Sequence, residues 1–206
     1  MPALKGSLTY TRLFVDGDLP KDFRDAFTKS IRLRAMKPLT PDEEAPERSG
    51  WCTLGEPFDV EPDYDDVFYN EYLNLGYRTD KWVIPSALLR AKVREAEAAL
   101  LGRKGRERLS RQEKTELKEL VVKRLRKQLA PATRVVDLSW SLDEGIVRFF
   151  SQSERSILAM SDLFHRTFGL KLVEEAPYTL AVRLGLSKAA ETAWQALQAT
   201  TVAVEA

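Results

Sequence analysis

Residues 86–129 read SALLRAKVREAEAALLGRKGRERLSRQEKTELKELVVKRLRKQL. Apolar residues recur every three or four positions on both sides of a polar connector at 103–109, which predicts two helices joined in an antiparallel hairpin. Ser86 is placed to begin the first helix and Gly102 to end it, and Ser110–Glu113 has the spacing of a capping box for the second. The apolar stripe that we expect to be buried consists of Leu88, Leu89, Val93, Ala96, Leu100, Leu101, Leu117, Leu120, Val121, Leu125 and Leu129.

The segments around the hairpin predict a body of strands and helices. The predicted strands are Ser7–Val15, two pieces on either side of Gly76 within 67–84, Arg134–Trp140, Ile146–Phe150, Leu170–Val173 and Tyr178–Leu184. The predicted helices begin near Pro20 with Phe23, Phe27 and Ile31 on one face, span Ser153–Phe168 with Gly169 as a cap, and occupy the last twenty residues with Trp194 and Leu197. The proline-rich acidic segment 37–50 predicts an exposed loop.

These patterns together predict an α+β fold. A mixed sheet-and-helix body is assigned to 1–82 and 133–186, a projecting antiparallel basic helical hairpin to 83–132, and a C-terminal helix and tail to 187–206. The chain has 206 residues, of which 44% are hydrophobic, which suffices for one core. Its first residues lack the layout of a signal peptide and no apolar run has the length of a membrane span, so we expect a cytoplasmic protein without membrane contact.

Charge changes sign along the chain at about residue 81. Between Pro41 and Asp80 there are twelve Asp and Glu against two Arg, whereas 81–134 holds sixteen Lys and Arg against six Glu. The second segment therefore carries +10 and the rest of the chain −9, although the net charge is only +1. A basic segment of this length favours a local surface for a polyanion.

The residues that most often carry catalysis give no enzyme signature. His165, the one histidine, falls in a predicted helix without a Ser or Cys partner, and Cys52, the one cysteine, follows Trp51 in a short apolar patch. Asp63, Asp65 and Asp66 lack the oxygen spacing of a calcium loop, and GRKG at 102–105 lacks the Lys-Ser/Thr ending of a phosphate-binding loop. We therefore predict no catalytic residue, no metal and no cofactor.

The basic side chains of the hairpin are the candidate functional residues. Neighbours at three- and four-residue spacing on a helix lie about 5–6 Å apart, close enough to meet successive phosphates. No aromatic residue occurs between Val83 and Arg134, which favours duplex backbone over stacking on unpaired bases. On charge alone, a solvated hairpin or a docking surface for an acidic partner remains an alternative. The predicted DNA contacts are Arg103, Lys104, Arg106, Arg108, Arg111, Lys114, Lys118, Lys123, Arg126 and Lys127.

Five motifs in order resemble the RdgC family of bacterial recombination-associated DNA-binding proteins. The most specific is GRERLSRQEKTELKELV at 105–121, similar to the family pattern GR-x-L-x-R-x-EK-x-x-LK-x-x-V, and VIPSAL at 83–88 is similar to the family's I-L-P-S-x-V-I. LTYTRL at 8–13, Gly50-Trp51 and Asp143-Glu144-Gly145 fall in the expected order. The resemblance covers roughly residues 7–175. It implies a non-enzymatic, nucleoid-associated protein that acts on recombination, whose homodimer forms a basic-lined ring around double-stranded DNA and limits RecA.

Two departures from the family pattern bear on ring closure. The family's C-terminal portion is longer than the stretch from Ser187 to Ala206, and its L-P-R-A-F at the end of the hairpin reads APATR at 130–134. Arg134 thus stands where the family has the phenylalanine of the tip-to-tip contact. An open dimer and a monomer are both hypotheses for the assembly. The alternative function is a protein–protein interaction module that does not bind DNA and uses the acidic surface at 42–80.

Overall fold

Seven strands and seven helices make up the part of the chain that the computed structural model describes, residues 9–197 without the side chain of Lys104. The strands are β1 (Thr11–Asp16), β2 (Glu47–Cys52), β3 (Phe68–Tyr69), β4 (Tyr72–Lys81), β5 (Ala132–Ser141), β6 (Ile146–Phe149) and β7 (Lys171–Glu174). The helices are α1 (Phe23–Leu33), α2 (Tyr64–Val67), α3 (Ser86–Lys104), α4 (Arg111–Arg126), α5 (Glu154–Phe168), α6 (Pro177–Leu184) and α7 (Lys188–Gln195). The predicted α+β class is confirmed.

The strands form one antiparallel sheet in the order β2-β4-β5-β6-β1-β7, with β3 paired to β4. β4 and β5 are its longest pair and run in register from Tyr72–Ser141 to Lys81–Ala132. The hairpin of α3 and α4 connects these two strands at the Lys81–Ala132 end. The ends of the hairpin are therefore held side by side by the sheet itself.

The core lies between one face of the sheet and helices α1 and α5. Phe27 of α1 stacks on Trp140 of β5 with ring centroids 5.9 Å apart, and Phe168 of α5 meets Phe27 at 4.8 Å. The indole Nε1 of Trp51 donates a hydrogen bond of 2.8 Å to the hydroxyl of Thr167, which ties β2 to α5. Burying large aromatic side chains of this kind supplies much of the free energy of folding.

Several predicted boundaries and burial patterns agree with the structure. Phe27 and Ile31 are buried on one face of α1, and α5 ends at Phe168 with Gly169 in the left-handed conformation (φ +73°). β5 and β6 flank the predicted turn at 143–145. The Ser110 hydroxyl accepts from the Glu113 N–H at 3.2 Å and a Glu113 carboxylate oxygen accepts from the Ser110 N–H at 2.8 Å, which confirms the capping box.

Gly76 and Gly102, two other glycines expected to end an element, lie inside one. β4 continues through Gly76, where a Cβ would lie 2.6 Å from Cys52 Sγ, so this glycine permits close packing and does not make a turn. The chain turns instead at Asn70, which has φ +53°. α3 continues through Gly102 to Lys104, and the left-handed cap is Gly105 (φ +57°).

The segment Tyr178–Leu184, predicted as a strand, is helix α6. Pro177 begins the helix, and the Thr179 hydroxyl accepts a 2.7 Å hydrogen bond from the Ala176 N–H. This local start signal outweighs the β-branched residues that suggested a strand.

Other differences are smaller. The predicted loop 37–50 ends earlier, because β2 begins at Glu47. Leu120 faces solvent with 64% of its surface exposed, and Leu197 lies beyond the end of α7. Ser7, Leu8 and the tail from Gln198 onward are outside the described residues.

Between residues 9 and 197, no helix is both long enough and apolar enough to cross a membrane.

Candidate nucleic-acid interface

The basic hairpin is a pair of helices that pack mainly on each other. α3 has 19 residues and is therefore about 28 Å long, and α4 has 16. Leu109 of the connector and Val121 and Leu125 of α4 are buried. The basic side chains are left on the outer surfaces of both helices.

The root of the hairpin is fixed by the acidic loop, which we define as residues 38–46. The N–H of Trp82 donates to the carbonyl of Pro46 at 3.0 Å, and Arg126 Nη1 donates to the carbonyl of Glu43 at 2.6 Å. The Arg126 guanidinium also lies 6.0 Å from the centroid of the Trp82 ring. Arg126, predicted as a DNA contact, is thus half-buried and engaged with the protein.

Five of the predicted contacts are exposed and form no ion pair with any residue between 9 and 197. These are Arg103, Arg108, Arg111, Lys118 and Lys123.

Three further predicted contacts have acidic partners. Arg106 lies 3.8 Å from Glu113, Lys114 lies 3.2 Å from Glu97 across the hairpin, and Lys127 lies 3.2 Å from Asp42 of the acidic loop. The side chain of Lys104 lies outside what the structure describes. The three cations are exposed, although Glu97 and Glu113 are half-buried, so each pair adds little to stability and leaves the cation able to exchange its partner.

The cations of α4 occupy two sectors of the helix. Arg111 and Lys118 are seven residues apart and lie almost on one line, since two turns take 7.2 residues. Lys123 and Lys127 lie roughly a third of a turn or more further round the helix. The predicted contacts therefore form two groups: Arg111 and Lys118 lie on the side nearer the tip of the hairpin, and Lys123 and Lys127 lie near its root.

A cleft of about 570 Å³ separates the acidic loop from α4. Glu43 and Glu44 line its one wall, and Lys118 and Lys123 line the other. The pKa of Glu43 is lowered, first by the hydrogen bond from the Thr40 hydroxyl and also by the charge of Arg48. Glu43 is therefore ionised at neutral pH, and the acidic loop places negative charge beside the basic group at the root.

The residues considered for catalysis lie apart from the hairpin. Cys52 is fully buried, and this burial raises the pKa of its thiol from 9.0 to about 12. His165 Nδ1 lies 3.2 Å from the carbonyl of Leu170, and the Asp63 N–H donates to Asp66 at the start of α2. No group of three His, Cys, Asp or Glu side chains within the described chain is placed to hold a metal ion.

The sequence prediction missed a second group of cations. Lys81, Arg134 and Arg155 line a cleft where the hairpin joins the body. The sequence contained one indication of this group. Lys81 and Arg134 flank the hairpin, and residues on either side of an insertion between paired strands become neighbours in the sheet.

Sequence comparison identifies no relative. No protein-family model matches the chain, and no curated protein matches it significantly.

Proposed function

We propose that this protein binds double-stranded DNA without sequence preference through the backbone phosphates. The observation that carries the proposal is the set of exposed hairpin cations without ion pairs among the described residues, Arg103, Arg108, Arg111, Lys118 and Lys123. Each cation that neutralises a phosphate releases a condensed counterion, and this release supplies affinity that does not depend on sequence.

Duplex is favoured over single strand for a chemical reason. Proteins that hold single strands stack bases on aromatic side chains, and the hairpin has no Phe, Tyr or Trp between Val83 and Arg134. The aromatic rings of the body lie mostly in the core. The exposed surface of the hairpin can therefore bind the phosphate backbone through its positive charge, but it has no aromatic ring on which a base could stack.

The biological part of the proposal follows from the resemblance to the RdgC family. By occupying duplex DNA in the nucleoid, the protein would limit access of RecA and so modulate recombination, without catalysis, as a homodimer or a monomer. Strand exchange by RecA with increasing amounts of this protein tests that part. Light scattering at several concentrations separates a dimer from a monomer.

The experiment that tests DNA binding is fluorescence anisotropy with a random-sequence duplex and a matched single strand at several salt concentrations. We expect duplex binding with a log–log salt slope of several units, since the slope is about −0.9 per phosphate contacted. Absence of duplex binding at low salt would refute the proposal.

A triple variant, Arg111→Gln, Lys114→Gln and Lys118→Gln, tests the hairpin itself. Loss of three phosphate contacts should flatten the slope by about 2.7 and weaken binding to all duplex sequences alike. The matched control removes three exposed lysines of the body, Lys21, Lys29 and Lys171, and should leave the slope nearly unchanged. Equal slopes in both variants would remove the hairpin from the account.

The second candidate is an interaction module that uses the acidic 42–80 surface. Glu44, Glu61 and Asp65 are exposed there and favour a basic partner. Other acids of the segment are engaged within the protein: Asp42 with Lys127, Glu47 with Lys81 and Arg155, and Asp80 with Arg78. This engagement reduces the charge left for a partner, so we place DNA binding first.

A further inference from the structure

The cleft at the junction of hairpin and body has a volume of about 330 Å³. Its floor is the face of β2, β4 and β5 that elsewhere carries the core, since Thr79 and Lys81 lie on the same side of β4 as Tyr77. The beginning of α5 also lines the cleft, with Ser153 at the N-cap and Ser156 in the first turn. Helix α5 begins at Glu154, beside the polar end of the sheet that carries Ser49, Thr79 and Arg134.

Three cations converge on this cleft from three elements. Arg134 of β5 is paired with Thr79, and Lys81 of β4 is paired with Ala132, so Arg134 and Lys81 are diagonal neighbours on adjacent strands. The Cα atoms of such neighbours lie about 7–8 Å apart, so two long side chains at these positions can reach the same phosphate group. Arg155 reaches the same cleft from α5.

One carboxylate only partly offsets these charges. Glu47 lies 3.4 Å from Lys81 Nζ and 2.5 Å from Arg155 Nη2. Arg134 is exposed and forms no ion pair with any residue of the described chain. Glu47 thus holds two cations in place, the cleft keeps a net charge of about +2, and Arg134 retains its donors for a ligand.

Hydroxyl groups complete the lining. Ser49 and Thr79 lie opposite each other, with their hydroxyl oxygens 3.1 Å apart, and they share the floor with Arg134. The planar guanidinium of an arginine donates two parallel hydrogen bonds to a phosphate, and hydroxyl groups can donate to the remaining oxygens.

We propose that this cleft binds a backbone phosphate of the duplex that the hairpin holds, with Arg134 as the principal contact. The cleft lies at the Lys81–Ala132 end of the sheet, from which the hairpin projects, so a duplex lying along the hairpin meets it at the root. The inference rests on the proposed function and extends the interface from the hairpin to the body.

The test compares Arg134→Gln with the matched single-charge control Lys171→Gln, which lies at the opposite edge of the sheet. Because one phosphate contact contributes a slope of about −0.9, we expect Arg134→Gln to flatten the salt slope by about one and to weaken duplex binding about eightfold at 0.1 M salt. Arg134→Lys keeps the charge and should restore most of the affinity. Thermal melts confirm that each variant is folded.

The outcomes separate this inference from the proposed function. If Arg134→Gln binds like Lys171→Gln while the hairpin triple variant is weakened, the cleft inference is wrong and the hairpin proposal stands. If the natural protein fails to bind duplex at all, both fail. A titration with inorganic phosphate, followed by NMR of Thr79 and Ser153, tests whether the cleft binds a free anion. If these signals shift while DNA affinity is independent of Arg134, the ligand is a free anion and the inference is overturned.

Discussion

Gly50 shows how one hydrogen atom in place of a side chain determines the packing of two elements. β2 passes so close to the segment after α1 that a Cβ on Gly50 would lie 2.5 Å from the Cα of Met36. The contact includes the parallel bridge between Ala35 and Trp51. Backbone atoms cannot move aside as the end of a flexible side chain can.

Gly50→Ala should therefore destabilise the protein by about 2–3 kcal/mol, as overpacking of a core does. The matched control is Gly102→Ala, because Gly102 lies within α3 with nothing within 4 Å of its Cβ position. There alanine should stabilise the helix by about 0.5–1 kcal/mol. Urea unfolding measures both free energies. Equal effects of the two substitutions would contradict the packing described here.

Cys52 should be chemically silent in the folded protein. Its Sγ donates to the carbonyl of Gly76 at 3.4 Å, and its pKa of about 12 keeps the thiol protonated at pH 8. We expect no alkylation by iodoacetamide in the native state and complete alkylation in denaturant.

The same pKa has a consequence for stability. Because the folded pKa is raised above 9.0, the contribution of the neutral thiol is present below pH 9 and is lost as pH rises toward 12. In the alkylation experiment described above, rapid reaction of Cys52 in the native protein at pH 8 would show that the β2–β4 pair opens.

Some residue roles could be predicted from sequence, and others depend on the fold. The burial of Phe27 follows from helical spacing alone. Gly76 could not be distinguished from a turn residue, because its reason is the side chain of Cys52, twenty-four positions away in the chain and brought near by strand pairing. Arg134 is an exposed charge in sequence and becomes part of a cleft only when β4 and β5 pair.

At the level of elements, the acidic loop would compete with the proposed DNA ligand for the cations of the basic hairpin. Asp42 lies 3.2 Å from Lys127, and Glu44 faces Lys118 and Lys123 across the cleft. A duplex that approaches the root of α4 must displace or pass these carboxylates. We therefore expect the negative charge of the acidic loop to weaken the proposed binding of DNA.

Replacing Asp42 by Asn and Glu44 by Gln should tighten duplex binding severalfold, with the largest gain at low salt because the carboxylates are exposed and screened by ions. The control neutralises two acids away from the hairpin, Asp143→Asn and Glu191→Gln. Anisotropy titrations at several salt concentrations measure the difference. Unchanged affinity after removal of the loop charges would show that the DNA does not reach the root.

Elements with strong local signals were predictable. The capping box of α4 and the left-handed cap of α5 involve neighbours in sequence, so the pattern suffices. α6 was mistaken for a strand because Thr179, whose hydroxyl caps the first turn of this helix, is β-branched and also favours strands. The partition of cations on α4 follows from helical geometry, but the ion pair of Lys114 with Glu97 required the packing of α3 on α4.

For the whole molecule, the proposed function implies that the length of the hairpin limits the length of DNA in contact with it. α3 extends about 28 Å, which corresponds to about 8 base pairs at 3.4 Å each. Affinity should rise steeply up to this length and then only in proportion to the number of binding positions. A series of duplexes from 6 to 24 base pairs checks this by anisotropy. Binding that is as tight at 6 base pairs as at 16 would contradict a lengthwise interface.

The fold class was predictable from the order of strand-like and helical segments, whereas the order of strands in the sheet was not. β1 lies between β6 and β7, although β2 follows it in the chain, and that arrangement depends on how α1 and α5 pack over one face. Short strands such as β3, with two residues, carry no periodic signal.

The hairpin departs from the sheet and returns to it at one residue pair, Lys81 and Ala132. None of the described residues from 83 to 131 belongs to the core cluster. In the gene, this pair marks an insertion point. The segment that encodes the residues between Lys81 and Ala132 can be lengthened, shortened or exchanged while the register of every strand is preserved. The reach of the protein can therefore evolve separately from its capacity to fold.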